Sequence, residues 1–266
     1  MELFGYVAAI LMGLSLGIIG GGGSILTVPI LVYFFRQEAM LATTGSLFVV
    51  GATAFLGALI NWKRGLIDFK TGVIFAVPSF AGVFVSRKIV VPWIPNDIVL
   101  FEGLSISKAF LVLMSFAILM IFASRAMIRS GKGKSTSTSN SSENGVVGVA
   151  FKGFLVGCTT GFVGAGGGFL IIPALVLLLK LPMRIAVGTS LAIIAANSLF
   201  GFMISDNRLS IDWQLLGIVT AVGAVGLVAG NYFSGRFNEG KLKQGFGYFV
   251  MVIGLFILVE QALKVG

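Results

Sequence analysis

Eight long apolar runs follow one another along the 266-residue chain, and most are close to the length of a membrane-spanning helix. A helix needs about 20 apolar residues to cross the hydrocarbon core of a bilayer. Hydrophobic residues make up 57% of the chain and charged residues 11%, a balance that a water-soluble domain of this size could not bury. The runs are continuous and lack the period-two alternation of a membrane barrel. They cover residues 3–35, 40–61, 71–86, 109–124, 146–179, 185–205, 211–235 and 244–263. The sequence therefore predicts an all-α, polytopic membrane protein.

An internal repeat relates the two halves of the chain. A shift of 144 residues aligns GIIGGGGSILTVPILV at 17–32 with GFVGAGGGFLIIPALV at 161–176, and the register continues without a gap. Self-similarity of this kind is the signature of a duplicated structural unit. We predict two membrane repeats, residues 1–129 and 146–266, joined by a hydrophilic Gly/Ser/Thr linker at 130–145.

The first run of each half is too long for one crossing, and we expect it to turn back at its glycines. Each half then has five elements and the halves are inverted, with 13 Lys and Arg residues on one side of the membrane and 6 on the other. Four elements per half would make the halves parallel and divide the same residues 10 against 9. The positive-inside rule favours the inverted arrangement, with both termini outside and the linker at 131–145 in the cytoplasm. Whether 25–35 and 169–179 span fully or are re-entrant stays open, which gives about 8 to 10 crossings.

The glycines themselves predict a binding site. Consecutive glycines followed by a proline mark the end of one helix and the start of another. The new helix start offers free N–H groups and the positive end of the helix dipole, which suit an anion. Unpaired backbone at membrane depth is tolerated only where it faces protein or a cavity, so both breaks are expected to face the interior between the halves. The predicted substrate-binding residues are Gly20, Gly21, Gly22, Gly23 and Ser24, with Gly164, Ala165, Gly166, Gly167 and Gly168; Pro29 and Pro173 follow them.

Small polar residues at the start of the second apolar element of each half are expected to complete the anion shell. They are Thr43, Thr44 and Ser46 in the first half, with Thr189 and Ser190 in the second. The alternative is that these hydroxyls bond back to carbonyls of their own helix. Asn197, in an apolar stretch, is either a ligand contact or a hydrogen-bonding link between helices.

Two charged motifs lie between apolar runs. Arg64-x-x-x-Asp68 and Arg208-x-x-x-Asp212 align in the repeat, and their spacing permits an ion pair or a cap at the start of the following helix. The alternative role is a gate. No Lys or Arg is expected mid-span, so a bound anion would rely on backbone and hydroxyl donors. The carboxylates also cluster near span ends, so a buried proton-carrying carboxylate is not expected.

Other glycines are expected to allow close helix packing without binding a ligand. This group lies in the run at 211–235 and consists of Gly217, Gly223, Gly226, Gly230 and Gly235.

Composition excludes several function classes. His is absent and Cys158 is the single cysteine, so neither a metal site, a cofactor nor His-based catalysis is expected, and we predict that the protein is not an enzyme. The formal net charge is +9, and the basic residues lie in short loops, where they set the orientation of the protein in the membrane and contact anionic lipid. Nucleic acid is not an expected partner. The first run has no basic region before it, and we expect it to be retained.

Together, the GGGG and GAGGG breaks with trailing prolines, the A-x-x-x-SL starts, the R-x-x-x-D junctions and the hydrophilic linker resemble the sulfite exporter TauE/SafE family of bacterial membrane permeases. The resemblance implies transport of sulfite or a related organosulfonate across the inner membrane. Ser24 stands opposite Gly168 in the repeat, so the two halves are expected to contribute unequally.

Three functions remain open at this point: a secondary carrier for a small sulfur-containing anion, an anion channel with the same donors, and a membrane scaffold whose glycines only pack. The expected partners are a small anion and the lipid bilayer, and a homodimer is one arrangement that the chain is expected to permit.

Overall fold

The computed structural model describes residues 2–95, 97–101, 104–132, 146–163, 171–172, 175–176, 179, 181–206, 211–234 and 239–265. The helices of the first half are α1 (Glu2–Ile19), α2 (Gly21–Phe34), α3 (Ala39–Lys63), α4 (Phe69–Trp93) and α5 (Lys108–Lys132). The described helices of the second half are α6 (Val146–Val163), α7 (Met183–Met203), α8 (Trp213–Phe233) and α9 (Glu239–Val265).

Four of these helices, α3, α4, α7 and α8, are long and apolar enough to cross a membrane by length and composition. Shorter apolar stretches occupy α1, α2, α5, α6 and α9. The prediction of a helical, multi-pass membrane protein is therefore confirmed.

A small β-hairpin adds to the helices between α4 and α5. Strand β1 (Asp97–Phe101) pairs antiparallel with β2 (Leu104–Ser107), with Ile98 opposite Ile106. Its β-branched and aromatic residues favour extended backbone, and the segment is too short to span. The expectation of a purely helical chain did not include this hairpin.

The first glycine break lies where the sequence predicts it. Helix α1 ends at Ile19, and Gly20 has φ 80° and ψ −134°, a backbone conformation that side chains rarely adopt. The new helix begins directly at Gly21, as a 3₁₀ turn over Gly21–Leu26. Pro29 is therefore inside α2 and not at its start. The π-helical turn Ile30–Phe34 follows Pro29 directly. Proline has no backbone N–H to donate, which is consistent with an irregular stretch of helix here.

Helix α2 runs back along α1 for most of its length. A Cβ added at Gly23 would lie 2.4 Å from the carbonyl oxygen of Met12, so the two backbones touch there. At the far end the ring of Phe35 lies 5.1 Å from that of Tyr6. The segment 25–35 therefore returns to nearly the depth at which α1 begins and does not turn back halfway. Most of its counterpart, 169–179, lies outside the described residues.

Close backbone approaches at glycines give the relative directions of the helices. In the pair α1 and α8, Gly226 meets Ile10 and Gly230 meets Leu14, so residue numbers rise together and the helices run the same way. In the pair α4 and α6, Gly157 meets Ser79 and residue 153 meets residue 75, so these helices also run the same way.

Two other pairs run in opposite directions. Between α3 and α7, Gly51 meets Leu199 and Gly57 meets Leu191, so residue numbers rise on one helix as they fall on the other. Helices α5 and α9 also run in opposite directions, with residue 254 beside 120 and residue 247 beside 128.

Two further pairs run the same way. Helix α3 runs the same way as α8, since residue 45 meets 216 and residue 57 meets 227. Helix α4 runs the same way as α7, since residue 72 meets 189 and residue 83 meets 201.

The predicted packing glycines are confirmed at three of their five positions. Gly223, Gly226 and Gly230 face α1, and at the last two an added Cβ would come within 2.2 Å of a carbonyl oxygen. Gly217 does not fit the prediction, because no neighbouring atom lies within 4 Å of the position that its Cβ would take. Gly235 lies outside the described residues.

The outer surface of the helices is apolar, as contact with lipid requires. Large exposed side chains include Phe122, Phe151 and Val225, each more than 60% accessible. The tryptophans Trp62, Trp93 and Trp213 are exposed at helix ends, the positions where aromatic belts meet the membrane surface.

Candidate functional site

The glycine break of the first half is buried and faces the second half. Every residue from Gly20 to Ser24 is buried. A Cβ added at Gly20 would lie 3.0 Å from the Ser190 Oγ and 3.2 Å from a methyl group of Val187, both on α7. No side chain caps the N-terminus of the 3₁₀ turn that follows. The break therefore opens on the start of α7, where the sequence placed the hydroxyl cluster of the second half.

The second break cannot be placed in this way. Gly164, Ala165, Gly166, Gly167, Gly168 and Pro173 lie outside the described residues. Gly161, at the end of α6, is described, and an added Cβ there would meet Ser86 and Val83 of α4.

The predicted hydroxyl groups are buried, and most donate to backbone carbonyls close by. Thr43 donates to Met40 at 2.9 Å, Ser46 to Thr43 at 2.8 Å and Ser190 to Val187 at 2.8 Å. Ser24 donates to Gly21 at 2.7 Å in the same manner. These donors are already used, as the structural interpretation of the cluster requires.

Thr44 and Thr189 are different, because their oxygens accept hydrogen bonds from another element. Thr189 Oγ1 accepts the backbone N–H of Asp68 at 2.9 Å, across the boundary between the halves. Thr44 Oγ1 accepts from the guanidinium of Arg87 at 3.3 Å. An oxygen that accepts still has its own hydrogen to give, so these two hydroxyls are the better candidates for donating to a ligand.

The two R-x-x-x-D motifs act locally as helix caps. Asp68 precedes α4 and accepts from the backbone N–H of Thr71 at 3.1 Å and from its hydroxyl at 2.7 Å. Asp212 precedes α8 and accepts from the N–H of Leu215 at 3.0 Å. The bonds from Thr71 lower the pKa of the Asp68 carboxyl below its ordinary value, because they stabilise the ionised form.

Arg64 bonds to α8 rather than to Asp68. Its Nη1 donates to the side-chain oxygen of Asn231 at 2.7 Å and approaches the Asn231 carbonyl oxygen at 3.4 Å. The carbonyl of Leu66 also packs on Gly188 at the start of α7. The loop between α3 and α4 is thus bonded to two helices of the second half, a suitable place for a gate or a structural tie. Arg208 lies outside the described residues.

Asn197 links two helices. Its amide donates to the hydroxyl of Ser79 on α4, while its side-chain oxygen is buried without a hydrogen-bond partner. Of the two roles considered for Asn197, the link between helices is the one that has a visible partner.

Arg87 is the main feature that the sequence interpretation missed. The sequence placed Arg87 just after an apolar run, whereas it lies inside α4, six residues before Trp93, and is only 6% exposed. It was hidden because the apolar run was ended at residue 86, whereas the helix continues through Ile89, Val90 and Val91 to Trp93. The sequence did contain a signal that the helix continues, because apolar residues resume directly after Arg87 and Lys88.

Neighbouring Lys88 is more exposed and has a charged partner. Its Nζ lies 2.5 Å from a carboxylate oxygen of Asp206, just after α7. This ion pair joins the end of α4 to the second half.

The described residues can also be compared with the requirements of a metal site and of an anion-binding groove. No group of three or more His, Cys, Asp or Glu that could hold a metal ion occurs in the described part of the chain. A groove of about 420 Å³ lies between α3 and α7, but its lining is apolar and includes Phe55, Trp62 and Leu199. It therefore lacks the donors that an anion needs.

Comparisons with known proteins identify the family of the chain. A profile described as "Sulfite exporter TauE/SafE" matches residues 6–257. A probable membrane transporter protein of Xylella fastidiosa strain 9a5c is 28% identical over 93% of this chain and 91% of its own length. The probable membrane transporter protein YunE of Bacillus subtilis strain 168 is 28% identical over 87% of this chain and 86% of its own. No solved structure matches. Because the profile covers nearly the whole chain, the protein belongs to the sulfite exporter TauE/SafE family and is a membrane transporter of that family.

Proposed function

We propose that the protein is a secondary carrier that moves a small sulfur-containing anion, such as sulfite or an organosulfonate, across the inner membrane. Family membership supports the substrate class. The observation that carries the proposal is the buried glycine break: Gly20 lies against Ser190 of the other half, and the helix start that follows has no side-chain cap. Backbone N–H groups at such a start attract an anion.

The carrier mechanism requires two halves that can rock against each other, and helix directions support inverted repeats. The repeat pairs α1 with α6, α3 with α7 and α4 with α8. Helices α1, α3 and α8 run one way, and α4, α6 and α7 run the other. Each helix thus opposes its counterpart, as expected for a pseudo-twofold axis in the membrane plane.

The proposed orientation has both termini outside and the linker 131–145 in the cytoplasm, on the side richer in Lys and Arg. In this orientation, the break at Gly20 lies toward the cytoplasmic ends of α1 and α3. Alternating access would then expose the interface between the halves first to one side and then to the other.

Flux into proteoliposomes tests the proposal. Purified protein would be reconstituted and assayed with sulfite, sulfate, thiosulfate, sulfoacetate and taurine, against empty liposomes. Saturable uptake that is accelerated by internal substrate is expected for a carrier. Fast conductance without saturation would identify a channel. The absence of flux for every anion would favour the membrane scaffold.

A further inference from the structure

Arg87 is a buried cation in an unusual stretch of helix. The turn Ser86–Val90 is π-helical, a local widening that often occurs at functional sites. The side chain is only 6% exposed, and it belongs to a helix that is long and apolar enough to cross a membrane. A guanidinium cannot lose its charge in a protein, so the charge itself is buried here.

The hydrogen bonds that Arg87 donates are few and long. Nη1 reaches Thr44 Oγ1 at 3.3 Å and Nη2 reaches the carbonyl oxygen of Thr43 at 3.4 Å, both longer than the usual 2.9 Å or so. Nε is buried with no hydrogen-bond partner. A guanidinium has five N–H donors, so most of its capacity is unused.

No carboxylate compensates the charge of Arg87 within the described ranges. The ion pair found there, between Lys88 and Asp206, belongs to the next residue. Leaving a buried charge without an opposite charge is strongly unfavourable, and a small anion at the guanidinium would relieve that cost.

The repeat explains why only one such site is expected per chain. The position that matches Arg87 is Asn231, a neutral amide, whose oxygen already accepts from Arg64 at 2.7 Å. The two halves therefore differ in charge at equivalent places. The C-terminal end of α6 meets Ser86, the residue before Arg87, so the second half reaches this part of α4.

We propose that Arg87 binds the transported anion directly, with the Thr44 hydroxyl beside it. Its planar fork fits two oxygens of one group, so the site selects oxyanions such as sulfite, sulfonates and carboxylates over halides. This inference rests on the proposed transport function and adds an anion contact at the N-terminal end of α3, the end opposite the break at Gly20.

Three variants measured by equilibrium binding of radiolabelled sulfite in detergent test the inference. Arg87→Met is expected to weaken binding at least tenfold. Arg87→Lys retains the charge but not the planar guanidinium, and its affinity for sulfite is expected to lie between those of Arg87→Met and the wild type. The matched control Lys88→Met removes the adjacent charge and should bind like the wild type.

Stability without anion separates ligand binding from a structural role. If Arg87 serves the ligand, Arg87→Met should unfold at the same temperature as wild type or higher without anion, and lose the rise that sulfite causes. A purely structural residue would give a lower melting temperature and unchanged sulfite affinity.

The outcomes distinguish the two proposals. Wild-type protein that transports sulfite while Arg87→Met binds it equally well would overturn the role of Arg87 and leave the carrier standing. Wild-type protein that neither binds nor transports any of the anions would overturn the carrier. If Arg87→Met does not fold, a competition experiment on the wild-type protein replaces it. Acetate is expected to displace sulfite, and equal displacement by chloride would overturn the proposal that Arg87 selects oxyanions.

Discussion

Replacement of Gly226 by alanine tests the close packing of α8 on α1, which joins the two halves. The new Cβ would lie 2.2 Å from the carbonyl oxygen of Ile10 and 2.9 Å from the N–H nitrogen of Leu14. Ordinary contact needs about 3.5 Å, so the helices would have to separate by more than about 1 Å. Overpacking of this kind costs about 1–3 kcal/mol.

Gly217→Ala in the same helix is the matched control. No neighbouring atom lies within 4 Å of the position of its Cβ. Both substitutions gain the same helix propensity, about 1 kcal/mol for Ala over Gly, and this gain cancels when the variants are compared. We therefore expect Gly226→Ala to be about 1–3 kcal/mol less stable than Gly217→Ala.

Denaturant unfolding of the purified protein in detergent, followed by tryptophan fluorescence, measures this difference. Trp213 begins the same helix and reports on its surroundings. Equal stability of the two variants would contradict the close approach of α1 and α8 and, with it, the helix directions derived from that contact.

Three further predictions concern the caps and the orientation. Asp212→Ala should destabilise the protein by about 1 kcal/mol through loss of the α8 cap, whereas Gln214→Ala in the same turn should be nearly neutral in thermal unfolding. The pKa of Asp68 is lowered on folding, so its stabilisation is present above the ordinary carboxyl value of about 4 and is lost as the pH falls below that value. Asp68→Asn should flatten the stability profile between about pH 5 and 2, and an unchanged slope there would refute this. A protease site inserted in the linker 131–145 should be cut in inverted vesicles and protected in intact spheroplasts; the reverse result would contradict the proposed orientation.

Local features of the fold were predictable because they depend on residues close together in sequence. The helix break at Gly20 follows from the conformational cost of consecutive glycines, and the caps at Asp68 and Asp212 follow from the position of an acidic residue before an apolar run. The beginning of α2 at Gly21, ahead of Pro29, was not predicted, because flexible glycines can also form a 3₁₀ turn when packing supports it.

The candidate site was predictable only in part. The sequence indicated the hydroxyl cluster, but it could not separate Ser46 and Ser190, which donate to their own helices, from Thr44 and Thr189, which accept from other elements. Arg87 was missed because hydropathy alone does not tell whether a charge at the edge of a run enters a loop or continues a helix.

By itself, the amino-acid sequence determined the membrane class, the internal repeat and the glycine break, because apolar length, repetition and glycine content can be read from the order of residues alone. Tertiary structure decided which glycines touch a neighbour, as the contrast between Gly217 and Gly226 shows, and that Gly20 meets Ser190. It also decided that Arg87 is buried against α3. These contacts join residues that are distant in the chain, and they depend on how whole helices pack, which no local pattern encodes.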